Sequence, residues 1–252
     1  MEIHGYLESG GLITKVSSIE DIKNFIARCG QSINEMTEME LDKMASFEQS
    51  NGWLPYDYMD DCGALYKTNP LIFLSGTAVV LRHMNSYKIL EGVVAINKNA
   101  FSHPDNKDRL RSVYMPDTVI VIGDSAFFGR NKLSSLSLSK ALLKIGNYAF
   151  RGCLSLIALS PLPVLKYIGS HAFENSGLES ITIPSSTIKI GSCAFCNCQG
   201  LTSVIFEGMP SNIGSGIFDR CVSLANVYVP HGSLDYFAKA LYPLDKSIIK
   251  EM

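Results

Sequence analysis

The sequence predicts a strand-rich solenoid of stacked repeats, with a mainly helical segment at its N-terminal end and a short helix at its C-terminal end. One hexapeptide signature, Ile-Gly-x-x-Ala-Phe in its most regular form, recurs six times in this 252-residue chain. Its phenylalanines are 22 to 26 residues apart, and a fixed period of this length is typical of stacked repeat proteins. The copies begin at Ile96, Ile122, Ile145, Ile168, Ile190 and Ile213. Each repeat buries its apolar side against its neighbours, so we expect one continuous core.

An alternating segment follows each signature and predicts a short strand. The pattern Leu-x-x-Ile/Val-x-Val/Ile occurs, for example, in residues 178–183 and 224–229, and alternation of inward and outward residues is strand behaviour. Prolines close three of these strands, at Pro116, Pro184 and Pro230, because proline has no N–H for the ladder. The third repeat has Pro161 where the next repeat has Ile183, so we predict a shorter, irregular strand there.

Glycine follows isoleucine in five of the six signatures, and we expect it to permit a tight turn with positive φ. The Ala-Phe pair then places a small residue and a large ring in the core. After it comes a polar loop that often ends in cysteine or asparagine, at Cys153, Asn175, Cys198 and Cys221. We interpret the cysteines of this position as a stack of buried thiols that act as small apolar side chains.

Residues 1–69 are predicted to form the mainly helical N-terminal cap. Residues 1–15 show no regular pattern, whereas residues 18–30 have helical spacing, with Ser18 as N-cap and Gly30 as C-cap. A second helix is predicted over residues 37–49, and the aromatic and acidic residues 53–66 as a packed loop.

The repeats are predicted to occupy residues 70–230, and a C-terminal cap residues 231–252. The array begins with a predicted hairpin of residues 70–76 and 77–81, with Gly76 at the turn. Beyond Pro230 the repeat pattern breaks, and Ser233 can cap a helix. The inner face of that helix is predicted to be Leu234, Phe237, Ala238 and Leu241. Solenoids need such ends because an open last repeat exposes its core.

Composition and charge exclude several functional classes. The net charge of −2 provides no overall field for nucleic acid, although residues 1–70 contain 12 acidic and 5 basic residues. No apolar run of about 18 residues is present, so we expect no transmembrane helix.

The N-terminus lacks the basic start and apolar segment of a signal peptide, which leaves the cytoplasm as one possible compartment. The odd number of cysteines, 7, argues against a disulfide framework.

No arrangement of residues predicts catalysis, a cofactor or a metal site. The five histidines are scattered, and His171 occupies a repeat position that Ser125, Tyr148 and Cys193 also hold, which indicates a surface position. The spacings of Cys193, Cys196 and Cys198 could hold zinc, but a second pair of ligands is missing nearby. Catalysis needs mutual geometry of nucleophile, base and acid, and no spacing here indicates it. We therefore expect a protein that is not an enzyme.

The repeat Ile-Gly-x-x-Ala-Phe-x-x-Cys-x-x-Leu-x-x-Ile-x-Ile-Pro resembles the BspA-like leucine-rich repeats. The resemblance extends over about residues 70–252 and includes the closing residues 229–233. It implies an α/β-type leucine-rich repeat solenoid, curved, with a parallel sheet on its concave face. For function, it implies surface-exposed adhesion or protein–protein interaction, often in host-associated microbes, and hence a cell-surface or secreted location. The family shares no catalytic residues.

The outward residues of the main strands form the candidate binding face. They make two rows of small, mostly hydroxyl side chains, with tyrosine at both ends of one row. Small hydroxyls leave a flat surface, and tyrosine offers apolar area with a polar tip. The candidates are Ser112, Tyr114, Ser135, Ser137, Ser160, Ser180, Thr182, Ser203, Ile205, Asn226 and Tyr228. The alternative is that serine and threonine are merely tolerated on a solvated sheet.

The leading hypothesis is therefore a monomer that binds a protein or a glycan through its concave face. The scarcity of charges there argues against nucleic acid. The alternative is an intracellular protein–protein interaction scaffold whose acidic N-terminal cap, with Asp57, Asp60 and Asp61, makes the contact. For residues 53–61, covering the open N-terminal edge of the array is the favoured interpretation over a docking patch.

Overall fold

The structure is a computed structural model that describes residues 5–9, 12–16, 36–45, 58–59, 65–68, 71–75, 84–102 and 109–252. In these residues the repeats stack as a strand-rich solenoid with parallel ladders, as the sequence predicts. Each regular repeat contributes one strand to a main ladder and one to a second ladder. A single large cluster of buried side chains fills the space between them.

The main ladder is built from the alternating segments. Its strands are β6 (Ser86–Lys88), β8 (Ser112–Tyr114), β10 (Ser135–Ser137), β13 (Ser180–Ile183), β15 (Ser203–Phe206), β17 (Asn226–Val229) and β18 (Ile249–Glu251). Neighbouring strands are parallel and form two sheets, β6-β8-β10 and β13-β15-β17-β18. The central residue of each rung, such as Val113, Leu136 or Val204, is buried, and its neighbours on the strand point outward.

The gap between the two sheets lies at the third repeat. No strand of the main ladder forms between β10 and β13, because Pro161 and Pro163 cannot donate a backbone hydrogen bond. In the preceding rung, the amide of Met115 donates to the carbonyl of Ser137 over 3.0 Å. The amide of Leu138 instead donates to the side-chain Oγ of Ser160 over 3.3 Å. The predicted irregularity at Pro161 is confirmed and amounts to the loss of the strand.

The second ladder consists of dipeptide strands that end on the isoleucine of each signature. They are β7 (Ala95–Ile96), β9 (Val121–Ile122), β11 (Lys144–Ile145), β12 (Tyr167–Ile168), β14 (Lys189–Ile190) and β16 (Asn212–Ile213). All pair in parallel and in register. The six isoleucines point into the core, so the first residue of each dipeptide faces outward.

Three N-terminal strands extend the second ladder. β5 (Leu71–Ser75) pairs in parallel with β7 and antiparallel with β4 (Leu65–Thr68), which pairs with β3 (Tyr58–Met59). The predicted packed loop over residues 53–66 is therefore wrong where β3 and the start of β4 lie. The antiparallel partner of β5 is β4, and the predicted partner, residues 77–81, lies outside the described residues. The predicted boundary at 69/70 falls between β4 and β5, two strands of one sheet.

The phenylalanines of the signatures form the centre of the core. Rings of consecutive repeats stack with centroid distances of 4.6 to 5.7 Å and interplanar angles of 24° or less. The stack runs through Phe101, Phe127, Phe150, Phe173, Phe195 and Phe218. Because each ring lies on the ring of the next repeat, the predicted continuous core is confirmed.

The signature glycines have a different role from the one predicted. None of them has positive φ. A Cβ at Gly191 would lie 2.3 Å from the backbone nitrogen of Ser170 in the preceding repeat. The glycines are thus required because the backbones of adjacent repeats touch at this point. Positive φ, between 55° and 62°, occurs two residues later in the repeat, at Ser125, Tyr148, His171, Cys193 and Gly216.

The described residues of the N-terminal segment form four short strands and one helix, so the predicted mainly helical cap is not supported. β1 (Gly5–Ser9) and β2 (Leu12–Val16) form an antiparallel pair, which corrects the prediction that residues 1–15 are irregular. The helix α1 (Glu38–Met44) begins as predicted, with Thr37 as N-cap in a reciprocal pair of bonds with Glu40, but it ends at Met44. The helix predicted over residues 18–30 lies outside the described residues.

The C-terminal end closes the array. The helix α2 (Leu234–Ala240) is confirmed, and Phe237, Ala238 and Leu241 are buried as predicted. Leu234 is 38% exposed, so its predicted inward position is wrong. A short 3-10 helix (Lys246–Ile248) follows, and then β18 covers the free edge of β17.

Candidate binding surface

The outward side chains of the main ladder and of the third repeat form one surface, called here the main-strand face. The eleven residues that the sequence singled out all lie on this face, and none is buried. Strand pairing aligns them in register, for example Ser135 with Ser112 and Ser180 with Ser203. The structure therefore places all eleven on one face. Five lie on the first sheet or in the third repeat, where the main ladder is interrupted, and six lie on the second sheet.

Each end of the main-strand face carries a lysine that sequence reasoning missed. Lys88, on β6, lies with its Nζ 5.2 Å from the ring centroid of Tyr114, in a cation–π contact. At the other end, Lys250 on β18 donates from Nζ to Oδ1 of Asn226 over 2.5 Å. The tyrosines are thus flanked by one further strand at each end. The signal for β6 was present in residues 86–88, which alternate like the later strands.

A cavity of about 320 Å³ interrupts the main-strand face at the break. It is lined by the third repeat on one side and by β13 on the other. Its walls combine hydroxyl groups and prolines with one carboxylate. The residues that provide these groups include Ser160, Ser180, Thr182, Pro161, Pro184 and Glu207.

The helix α1 lies on the second ladder, where the outward residues are apolar. The outward row runs from Ala95 and Val121, both buried, to Lys144, and the last member, Asn212, is exposed. Leu41 of α1 is fully buried in this contact. Because the row changes from apolar to polar along the array, the helix can bury its own apolar face only on the first repeats.

Ion pairs fasten α1 at the point where the row becomes charged. Lys144 Nζ contacts Asp42 over 2.6 Å and Glu38 over 3.2 Å, and Lys189 Nζ contacts Glu38 over 2.7 Å. Burial raises the pKa of Glu38, but the hydrogen bonds and charges of the two lysines outweigh it, and the pKa lies below its ordinary value. The acidic residues of α1 are therefore engaged within the chain.

The edge of the solenoid at the Ala-Phe turns carries a polar and aromatic cluster. The rings of Tyr148 and His171 stack at 4.8 Å. Oε2 of Glu174 contacts two side chains: Nε of Arg151 at 2.9 Å and Nδ1 of His171 at 2.8 Å. Arg151 also lies over the ring of Phe128. These side chains therefore pair with one another at the edge of the solenoid.

The buried thiols make hydrogen bonds as well as apolar contacts. Cys153 and Cys198 are fully buried and Cys221 is half-buried. Their Sγ atoms donate to the carbonyls of Phe127, Phe173 and Phe195 over 3.0 to 3.3 Å. Burial raises the pKa of Cys153 to about 12. Ser176, rather than the predicted Asn175, holds this register in the fourth repeat and contacts Cys198 Sγ at 3.3 Å.

No group of three or more His, Cys, Asp or Glu side chains that could hold a metal occurs in the described part of the chain. Cys193 and Cys196, at the Ala-Phe edge, are half-buried. No helix among the described residues is long and apolar enough to cross a membrane.

The parallel ladders and the continuous core between them place the chain in the class of repeat solenoid proteins. The family model for the BspA type leucine-rich repeat region matches six copies, over residues 81–187 and 166–248. This match extends over more than half of the chain, so the chain belongs to the BspA-type leucine-rich repeat family. A comparison with curated proteins finds no match.

Solved structures share the fold. A leucine-rich repeat protein from Bacteroides ovatus is 25% identical, with a TM-score of 0.53 over 69% of this chain and 45% of that chain. The T. pallidum leucine-rich repeat protein is 23% identical, with a TM-score of 0.56 over 79% of this chain and 98% of that chain. The pneumococcal vaccine antigen PcpA is 18% identical, with a TM-score of 0.60 over 80% and 47%. This chain thus matches less than half of the length of the B. ovatus protein. Family and fold together indicate a binding role.

Proposed function

We propose that this chain is a non-enzymatic binding protein that contacts another protein, or a glycan, through its main-strand face. The observation that supports this is the open, outward arrangement of the eleven residues, most of them small hydroxyls. Tyr114, 46% exposed, and Tyr228 offer aromatic area on either side of the break. Exposed tyrosines are frequent energetic centres of interfaces because they bury a large apolar area and keep a polar tip.

The alternative scaffold function through the acidic N-terminal cap receives no support from α1. Glu38 and Asp42 are paired with Lys144 and Lys189 inside the chain, and a partner would have to break those pairs. The remaining acidic candidates, Asp57, Asp60 and Asp61, lie outside the described residues.

The test removes the two tyrosines from the main-strand face. The chain is used as a probe on a glycan array and in a protein pull-down, and each captured ligand is then titrated against Tyr114→Ala with Tyr228→Ala. We expect affinity to fall more than tenfold, since truncating a tyrosine that is an interface hot spot costs about 2 kcal/mol or more. Tyr148→Ala, at the Ala-Phe edge, is the control and should keep full affinity. Unchanged affinity of the double variant, with an unchanged circular dichroism spectrum, would refute the proposal.

A further inference from the structure

The cavity in the main-strand face is a consequence of the third repeat's sequence. Pro161 and Pro163 remove two backbone donors, so no strand closes the space between β10 and β13. Pro161 is exposed, although the equivalent Ile183 is buried. The backbone therefore leaves the ladder here and opens about 320 Å³ in the middle of the face.

The chemistry of the cavity wall is polar at a few points and apolar elsewhere. Ser160, Ser180 and Thr182 supply hydroxyl oxygens that can accept hydrogen bonds. Prolines supply rigid apolar surface on both sides, at Pro161, Pro163 and Pro184. Glu207 is the only ionisable side chain in the lining, it is exposed, and none of the described cations pairs with it. Within the described part of the chain, the negative charge of Glu207 therefore has no paired cation.

We propose that this cavity accepts a lysine or arginine side chain of a partner protein. A long basic side chain can lay its aliphatic stem along apolar walls while its charged head reaches acceptors. Here the prolines contact the stem, and Glu207 with the hydroxyls receives the head. The carboxylate disfavours acidic side chains at the same place. This inference rests on the proposed use of the main-strand face for binding, and it names the side chain that the partner inserts.

The probes are acetylated and amidated Ala-Ala-x-Ala-Ala peptides, in which x is lysine, arginine, norleucine or glutamate. Ligand-observed NMR titration of the intact chain measures their affinities. We expect the lysine and arginine peptides to bind about fivefold more tightly than the norleucine peptide, as an exposed ion pair allows. The glutamate peptide should bind more weakly than the norleucine peptide.

Two variants locate the binding. Glu207→Gln should abolish the preference for the basic peptides and leave norleucine binding unchanged. Ser180→Lys places a lysine of the chain itself in the exposed lining and should prevent peptide binding at the cavity. Both positions are exposed, so thermal unfolding should be unchanged. Equal affinities of basic and neutral peptides, or a preference that survives Glu207→Gln, would overturn the proposal.

The peptide test separates this proposal from the function of the whole face. Tyr114→Ala with Tyr228→Ala should leave peptide binding intact because neither ring lines the cavity. If the tyrosine variant loses the partner while the peptides show no charge preference, the cavity proposal alone is wrong. If a neutral oligosaccharide from the array binds wild type and loses affinity in Ser180→Lys but not in Glu207→Gln, the cavity is a glycan site and the proposal is overturned.

Discussion

The buried Lys144, on the second ladder, forms an ion pair with the half-exposed Asp42 of α1. The two atoms, Nζ and Oδ1, are 2.6 Å apart, and the lysine side chain is 2% exposed. The residues are about 100 positions apart in sequence, and Glu38 of the same helix joins the pair. This contact joins α1 to the second ladder.

Removing both acids should loosen α1. Glu38→Gln with Asp42→Asn leaves the buried charge of Lys144 without a partner, which typically costs about 3 kcal/mol. We expect faster hydrogen exchange of the α1 amides, by about a hundredfold, because α1 can detach without unfolding the repeats. Adding Lys144→Met should restore most of the protection, since an apolar side chain fits the buried site. Unchanged exchange in the acid variant would show that the apolar contacts alone hold the helix.

The same ion pairs predict a dependence on pH. The pKa of Glu38 is lower in the folded chain than its ordinary value of 4.5. Its stabilisation is therefore complete above that value and is lost as the pH falls through the folded-state pKa. We expect Glu38→Gln to accelerate exchange of α1 relative to wild type at pH 7 but much less at pH 3, after correction for intrinsic exchange rates. A difference that is as large at pH 3 as at pH 7 would contradict this assignment.

The repeat register predicts a large effect for one small substitution and almost none for another. Gly191→Ala would place a Cβ 2.3 Å from the backbone of Ser170, and we expect it to lower the free energy of unfolding by more than about 2 kcal/mol. Ser125→Gly removes a side chain from a residue with φ of 55°. Glycine tolerates that conformation, and the equivalent Gly216 already adopts it, so we expect a change within about 1 kcal/mol of zero. Urea denaturation of both variants measures the two effects.

The thiol stack should resist alkylation. Burial raises the pKa of Cys153 and of Cys221 to about 12, so almost no thiolate exists at pH 8. We expect iodoacetamide to leave Cys153, Cys198 and Cys221 unmodified in the native chain and to modify all three in urea. Peptide mapping by mass spectrometry gives the result. Rapid native labelling of Cys153 would show that the array opens locally at the third repeat.

Features that repeat in register were predictable from the sequence. The continuous core follows from the period of the phenylalanines, and the break in the main ladder follows from Pro161. Both features depend on contacts between residues about one repeat apart, so the repeat pattern in the sequence shows which residues are in contact. The signature glycine shows the limit: its presence was evident, but close contact between repeats, rather than positive φ, is the reason for it.

Contacts between distant parts of the chain were not predictable. The position of α1 depends on the outward row of the second ladder becoming polar at Lys144, and no spacing in the sequence links that row to residues 38–44. A helix at the position of α1 was predicted, but its length and the surface on which it packs were not. Likewise, Lys250 borders the main-strand face because β18 adds to its end, and β18 does not carry the repeat pattern. Lys88 differs, since the alternation of residues 86–88 did indicate β6.

The amino-acid sequence alone determined the repeat unit, its period, the direction of its side chains and the place where the ladder breaks. These are local properties, because alternation, proline and the Ala-Phe pair act within one repeat or on the next. The tertiary structure decided where α1 lies, how the ends of the face are charged, and that the break opens into a cavity beside Glu207. These three features depend on contacts between residues that are far apart in the sequence, and a local sequence pattern does not show such contacts.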